Sequence, residues 1–286
     1  MKKRSIKNIV TSQDVQMGPM TLKQPLPMGN IDQVDPFLLL HHVGPKTQEP
    51  NGKNMLDIGG HPHRGFEPVT FIFRGEVHHR DSRGNDSVIK AGGVQWMTAG
   101  MGIVHSEGAP KSFIEKGGEL ELIQLWVNLP SKLKMIQPKY QGFQREDIPV
   151  FMDQEGKVRL NVISGEYQGL KGAVDSLTDI TAFTIELKAG GQVNLKEDAS
   201  RSVMIYQLSG VASINGANTG DTKMVILNQD GEGIEIEAET DGVLLYLAGN
   251  PIGEEVAQYG PFVMNNQTEL MEAMRDYQMG KMGVLI

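Results

Sequence analysis

Short apolar runs, broken at close intervals by glycine, asparagine and aspartate, constrain this chain more than any other feature. Runs at 69–73, 120–127, 181–187, 203–208, 224–227, 233–238 and 243–247 are rich in aliphatic and aromatic residues. Clusters such as Arg83-Gly84-Asn85-Asp86, Asn215-Gly216-Ala217-Asn218 and Gln229-Asp230-Gly231 separate them. Turn chemistry returning every ~8–12 residues indicates short strands in a sandwich or barrel, not the strand–helix alternation of a parallel sheet. Ile234, Ile236 and Ala238 alternate with Glu235, Glu237 and Glu239, the period of a strand with one wet face. The 34 glycines scattered over 286 residues fit the same reading. The expected class is all-β.

A chain of this length holds about two domains. The proline-bearing stretch 129–149, with Pro130, Pro138 and Pro149, reads as their connection. The expected division is into 1–136 and 137–286. The halves look related, because Phe71-Ile72-Phe73-Arg74-Gly75-Glu76-Val77 resembles Tyr206-Gln207-Leu208-Ser209-Gly210-Val211-Ala212, with Gly75 matching Gly210. That pattern of strand, glycine turn and strand suggests a duplicated β-domain. The clearest helix runs over 268–279. Thr268 or Asn266 caps it, Leu270, Met271, Met274 and Tyr277 give it an apolar stripe, and Gly280 stops it. The five methionines between 264 and 282 read as core filler.

Composition removes several classes of function. With no cysteine, disulfides, thiolate metal sites, iron–sulfur ligation and a cysteine nucleophile are excluded. A net charge of −8 argues against direct nucleic-acid binding, which needs a cationic face. No apolar stretch approaches the ~18 residues of a membrane span. Met1-Lys2-Lys3-Arg4 is not followed by the apolar core of a signal peptide. The chain is expected to be soluble and cytoplasmic, with no membrane association.

All seven histidines lie at His41, His42, His61, His63, His78, His79 and His105. Imidazole chemistry is therefore confined to the first part of the chain. On a strand, side chains two apart share a face, so His61 and His63 can converge on one ion. His105 and Glu107 repeat that spacing within Gly100-Met101-Gly102-Ile103-Val104-His105-Ser106-Glu107. Two such strands meeting inside a barrel make a site of three imidazoles and a carboxylate, a set that suits a divalent first-row metal. Glu67 shares the strand parity of His61 and His63 and competes with Glu107 for the fourth place. The adjacent pairs His41-His42 and His78-His79 point to opposite faces and are assigned no role. Arg64 reads as a salt-bridged or supporting residue.

These motifs resemble the two cupin motifs, His-x-His followed by Glu67 and then Gly102-x-x-His105. The stretches GGHPHRGFEPVT and WMTAGMGIVHSE are more specifically similar to the pirin family. The likeness continues through Leu125-Trp126-Val127-Asn128-Leu129-Pro130 and Gly260-Pro261-Phe262-Val263-Met264-Asn265, with Asp276-Tyr277-Gln278 and Gly280 after it. It departs from general cupins at Gly100, where proline is common, and at Ala109, where asparagine is common. The resemblance implies a bicupin, two jelly-roll β-barrels in one chain, with a short C-terminal helix. It further implies a metal in the N-terminal barrel alone, held by His61, His63, His105 and Glu107, with Glu67 displaced from coordination. Iron(II) is the implied metal, with manganese, nickel, copper and zinc compatible. Aligning Gly75 with Gly210 sets Lys196 opposite His61, Asp198 opposite His63 and Ser202 opposite Glu67, which agrees with a second barrel lacking a metal site. The implied activity is a quercetin 2,3-dioxygenase-like cleavage of flavonols by O2, with Glu107 as the base for the substrate hydroxyl. The alternative is a metal-loaded, redox-sensing protein that binds a transcription regulator or a metabolic enzyme.

Overall fold

The runs read as strands form two barrels of the same build. The computed structural model describes residues 1–18 and 20–285. The strands Phe66–Arg74, Gly118–Asn128, Ile180–Leu187, Ser202–Ser209, Lys223–Leu227, Gly233–Ala238 and Gly242–Gly249 each contain one of the expected runs. Every strand pair within the sheets is antiparallel where its register is defined, as in Thr70 opposite Gln124 and Ile205 opposite Tyr246. Ile234, Ile236 and Ala238 are buried while Glu237 and Glu239 are exposed, as the alternation requires.

Two compact units result. One comprises Met1–Gln13, Lys23–Pro36 and Glu146–Pro251; the other comprises Asp14–Leu22, Phe37–Arg145 and Ile252–Ile286. In each, a seven-stranded sheet faces a four-stranded one, and the core fills the space between them. The unit built around Phe37–Arg145 buries Leu22, Val43, Ile72, Val77, Ile89 and Leu122. The unit built around Glu146–Pro251 buries Leu160, Phe183, Ile205, Ile236, Leu244 and Tyr246. The faint sequence repeat is therefore a structural one. Gly75 and Gly210 turn one strand into the next at φ +81° and +83°. A side chain at either would strike backbone, the carbonyl of Glu119 or of Asp241. Only glycine meets both demands.

The units differ from a single cut between 136 and 137, because each draws on the far end of the chain. The strand Ile6–Thr11 pairs with Lys223–Leu227, and 252–285 belong with the imidazole-bearing barrel. The stretch 129–149 is also more than a connection: Lys139–Phe143 adds an edge strand against Val94–Thr98. The C-terminal helix covers Gln267–Gln278. Asn266 caps it, accepting from the Glu269 amide at 3.0 Å while Glu269 Oε1 accepts from Asn266 Nδ2 at 2.9 Å, a reciprocal cap. Its buried face is Leu270 and Ala273 with Met274 beside them, packed on Val104, Phe262, Met264 and Met282. Met271 and Tyr277 are exposed, which corrects the expected stripe: Met271 is one residue off the i, i+3, i+4 face. The core-filler reading holds for Met264 and Met282 and fails for Met271 and Met279, which are exposed. No helix among the described residues is long and apolar enough to cross a membrane.

Candidate metal site

The site is built on two neighbouring strands of a four-stranded sheet. Asp57–His63 pairs with Ile103–Gly108, with His61 directly opposite His105 and His63 opposite Ile103. Cross-strand partners share a face, so the parity that aligns His61 with His63 also aims both at His105. The register slips between His105 and Glu107, a bulge of the kind that re-aims side chains beside functional sites.

The three imidazoles converge. Their nearest ring nitrogens lie within 4.8 Å of one another, and His61 Nε2 approaches His63 Nε2 to 3.1 Å. Ring centroids are 4.3 Å apart for His61 and His105 and 4.9 Å for His63 and His105. The remaining nitrogens of the pair are oriented from behind: His61 Nδ1 lies 2.8 Å from the Gly59 carbonyl, and His63 Nδ1 lies 3.2 Å from the Pro261 carbonyl. A backbone carbonyl at one ring nitrogen fixes the tautomer and leaves the other free to ligate. His63 and His105 are buried and His61 is half-buried, so His61 is the member of the cluster nearest solvent. Burial, reinforced by neighbouring His61, pushes the His63 imidazole down to about 3. Burial with His63, His61 and His79 nearby holds His105 well below the usual imidazole range. Both rings are neutral, the state that binds metals.

Glu107 stands on the inner side of this cluster. It belongs to a second group, with His105 and His79, whose ligand atoms also lie within 4.8 Å of one another. Its two oxygens accept from Thr70 Oγ1 at 2.9 Å and Gln124 Nε2 at 2.8 Å. Thr70 and Gln124 are themselves cross-strand partners on the facing sheet. A cavity of about 10 Å3, bordered by Glu107, Thr70, Gln124 and His41, lies beside it. That is room for one water and no substrate. Glu67, fully buried, joins neither ligand group among the described residues; Thr98 donates to its Oε1 at 2.6 Å and its Oε2 has no protein partner. Burial pushes its carboxyl up to about 7.

Several neighbours escaped the sequence reading. His79, assigned no role, lies opposite Glu107 on the next strand. Its ring stacks on Tyr140 at 4.2 Å and its Nε2 lies 3.0 Å from Asp81 Oδ2. The His79-x-Asp81 spacing was the available signal, since both share strand parity. Thr70, Gln124 and the Pro261 carbonyl carry no sequence signal, because only the folded sheet brings them here. Arg64 is held as expected, its Nη2 3.0 Å from Asp276 Oδ2 and its Nε donating to the Met101 carbonyl at 2.7 Å. Phe66 and Trp126, with ring centroids 4.3 Å apart, form an aromatic wall against His63.

Known proteins share this architecture. Residues 19–127 match the Pirin family model and residues 182–283 match the Pirin C-terminal cupin domain. A Pseudomonas aeruginosa protein provisionally named quercetin 2,3-dioxygenase is 38% identical over 250 residues, covering 87% of this chain and 86% of that protein. A crystal structure of quercetin 2,3-dioxygenase from Acinetobacter baumannii superposes with a TM-score of 0.92 at 35% identity, covering 100% of both chains. A bacterial pirin of Escherichia coli, solved in complex with nickel(II), shares the fold at a TM-score of 0.66 and 23% identity, over 85% of this chain and 99% of that one. With both barrels matched and the likeness running the length of the chain, this protein belongs to the pirin family of bicupins.

Proposed function

We propose that the protein is a metal-dependent dioxygenase that cleaves flavonols such as quercetin with O2, using iron(II) held by His61, His63, His105 and Glu107. The observation that carries the proposal is His105. Both of its ring nitrogens are buried and have no protein partner, in a barrel where two further imidazoles point at the same spot. Burying such nitrogens unpaired costs about 1–3 kcal/mol each, a cost that ligation of one of them offsets. The imidazoles of His61, His63 and His105, with Glu107 grouped to the same His105, are donors that fit a first-row divalent ion. When bound, iron(II) would supply Lewis acidity and redox chemistry towards dioxygen at the mouth of the barrel.

The chain's own residues supply the rest. Trp126, partly exposed beside His63 and backed by buried Phe66, offers an apolar ring suited to a planar polyphenol. The substrate would approach on the side of His61, the most exposed of the three imidazoles, since the inner cavity beside Glu107 is too small for it. Each Glu107 oxygen accepts one hydrogen bond and keeps a second lone pair. The space beside Glu107 holds one water and no flavonol, so Glu107 would take the proton of the flavonol 3-hydroxyl through that water while Thr70 and Gln124 keep its carboxylate in place. Anaerobic purification with metal analysis, followed by oxygen uptake on quercetin, tests the reading. Uptake should track metal content and fall by ~100-fold or more in Glu107→Gln. Quercetin-dependent uptake that survives complete metal removal would overturn it.

A further inference from the structure

His105 has more to satisfy than one ion can. Its strand, Ile103–Gly108, lies between Asp57–His63 on one side and Glu76–Asp81 on the other. Across the one pairing His105 is opposite His61; across the other it is opposite Asp81, and Glu107 is opposite His79. The ring therefore stands between two sets of donors. His61 and His63 flank it on one side. His79 and Glu107 flank it on the other, and one ligand atom from each of His79, His105 and Glu107 lies within 4.8 Å of the other two. The ring centroids of His79 and His105 are 5.4 Å apart, and all three side chains are buried. His61 and His63 each have a backbone carbonyl behind the ring. His105 has none, and both of its nitrogens are buried without a protein partner. A single ion binds one of them and leaves the other orphaned in the barrel interior, where an unpaired polar group is costly.

His79 is held as a ligand is held. The buried carboxylate of Asp81 accepts from the amides of Arg83 and Asn85 at 2.9 and 3.1 Å and from Asn85 Nδ2 at 2.8 Å. Those donors keep it an acceptor, so His79 Nε2, 3.0 Å from Asp81 Oδ2, carries the ring proton and Nδ1 keeps its lone pair. A carboxylate behind an imidazole fixes the tautomer and ring orientation of metal-binding histidines. Tyr140 clamps the ring from its face, stacked at 4.2 Å, and its own hydroxyl lies 2.6 Å from Ser87 Oγ. Glu107 brings negative charge, and each of its oxygens keeps a lone pair beyond the bonds from Thr70 and Gln124. Two imidazoles and a carboxylate suit a divalent first-row ion.

We propose that this barrel takes a second divalent cation, at an inner position made by His79, His105 and Glu107, with His105 bridging the two ions through its two ring nitrogens. The proposal rests on the reading of His61, His63 and His105 as holding the other ion. As the inner ion binds, the remaining N–H proton of His105 passes to solvent, and both nitrogens are then satisfied. The test uses the full-length protein, stripped with chelator and titrated with copper(II), which binds most tightly of the first-row divalent ions. Native mass spectrometry should count two coppers per chain. The EPR signal should grow with the first equivalent and fall with the second, because two copper(II) spins sharing one imidazolate couple antiferromagnetically. His79→Gln should bind one copper with the full signal of an isolated ion. Asp81→Asn, which takes the acceptor away from His79 Nε2, should weaken the second equivalent by ~10–100-fold and serves if His79→Gln does not fold. Wild-type protein that binds only one copper overturns the inner position and leaves the metal-site reading standing. Two coppers with additive signals, or coupling that persists in folded His79→Gln, overturn it as well. Protein that binds no copper overturns both.

Discussion

Glu67 and Glu107 are buried carboxylates of one barrel, and their partners give them different chemistry. Glu107 accepts a hydrogen bond at each oxygen, from Thr70 and Gln124. Glu67 accepts one, from Thr98, and its other oxygen has no protein partner. Its carboxyl is consequently pushed by burial from 4.5 up to about 7. Between those values the native state holds a proton that the unfolded chain has released, so stability falls as pH rises through that window and stays lowered above it. Glu67→Gln removes the ionisation. The stability of the variant relative to wild type should therefore rise between about pH 4.5 and 7, by up to roughly 3 kcal/mol. Urea unfolding of both proteins across that range checks this, and a difference that stays flat with pH would refute it. Strand parity could not choose between these two glutamates as ligand, because it reports a face and not a partner. Thr70 and Gln124 reach Glu107 from the facing sheet, and no local pattern in 103–108 announces them. His61, His63 and His105 were legible because a two-residue spacing and a cross-strand pairing are both periodic properties of the chain.

Between the strand that ends at His63 and the one that begins at Phe66 there are only two residues, Arg64 and Gly65. This turn sets where the imidazoles point. Gly65 has φ +88°, and a Cβ there would sit 2.0 Å from the Val263 carbonyl oxygen. Buried Lys134 donates to the carbonyls of Gly65 and Val263 at 2.8 and 3.0 Å and to Asn128 Oδ1 at 2.7 Å. Burial lowers this ammonium to about 8, and its three donors are fully used. Gly65→Ala therefore meets both an unfavourable φ and a backbone clash. It should cost about 1–3 kcal/mol and, by moving the turn, reduce metal retention on dialysis against chelator. Wild-type retention in a variant that melts lower would separate the turn from the ligands and defeat the second half of this prediction. The strands at this scale were readable from apolar runs and turn residues. Lys134 was not, since a lysine within a proline-bearing stretch reads as exposed connection until the carbonyls it satisfies are known. The same stretch conceals the edge strand Lys139–Phe143, whose pairing with Val94–Thr98 is non-local.

For the molecule as a whole, duplication was visible in the sequence as a matched glycine turn, whereas the exchange of chain ends was not. Ile6–Thr11 supplies a strand to the unit formed mainly by the second half, and 252–285 belong to the unit formed mainly by the first. Such assignments depend on pairings between residues more than a hundred positions apart, which periodicity does not register. They have a functional consequence. The segment beyond Pro251 gives the carbonyl that orients His63, the carboxylate of Asp276 that holds Arg64, and the side chains that cover Val104. Removing 252–286 should uncover that apolar face and release the ligand turn. Metal retention should drop well below stoichiometric, and amide exchange should accelerate in Asp57–His63 and Ile103–Gly108. The strands Ile180–Leu187 and Gly242–Gly249 belong to the other unit, which keeps all its residues up to Pro251, so their protection should persist. Hydrogen-exchange mass spectrometry on the truncated and full-length proteins distinguishes the outcomes. Uniform loss of protection would mean that the chain unfolds as one cooperative body. Unchanged protection with full metal would mean that the two strands position the imidazoles without help from the C-terminal segment.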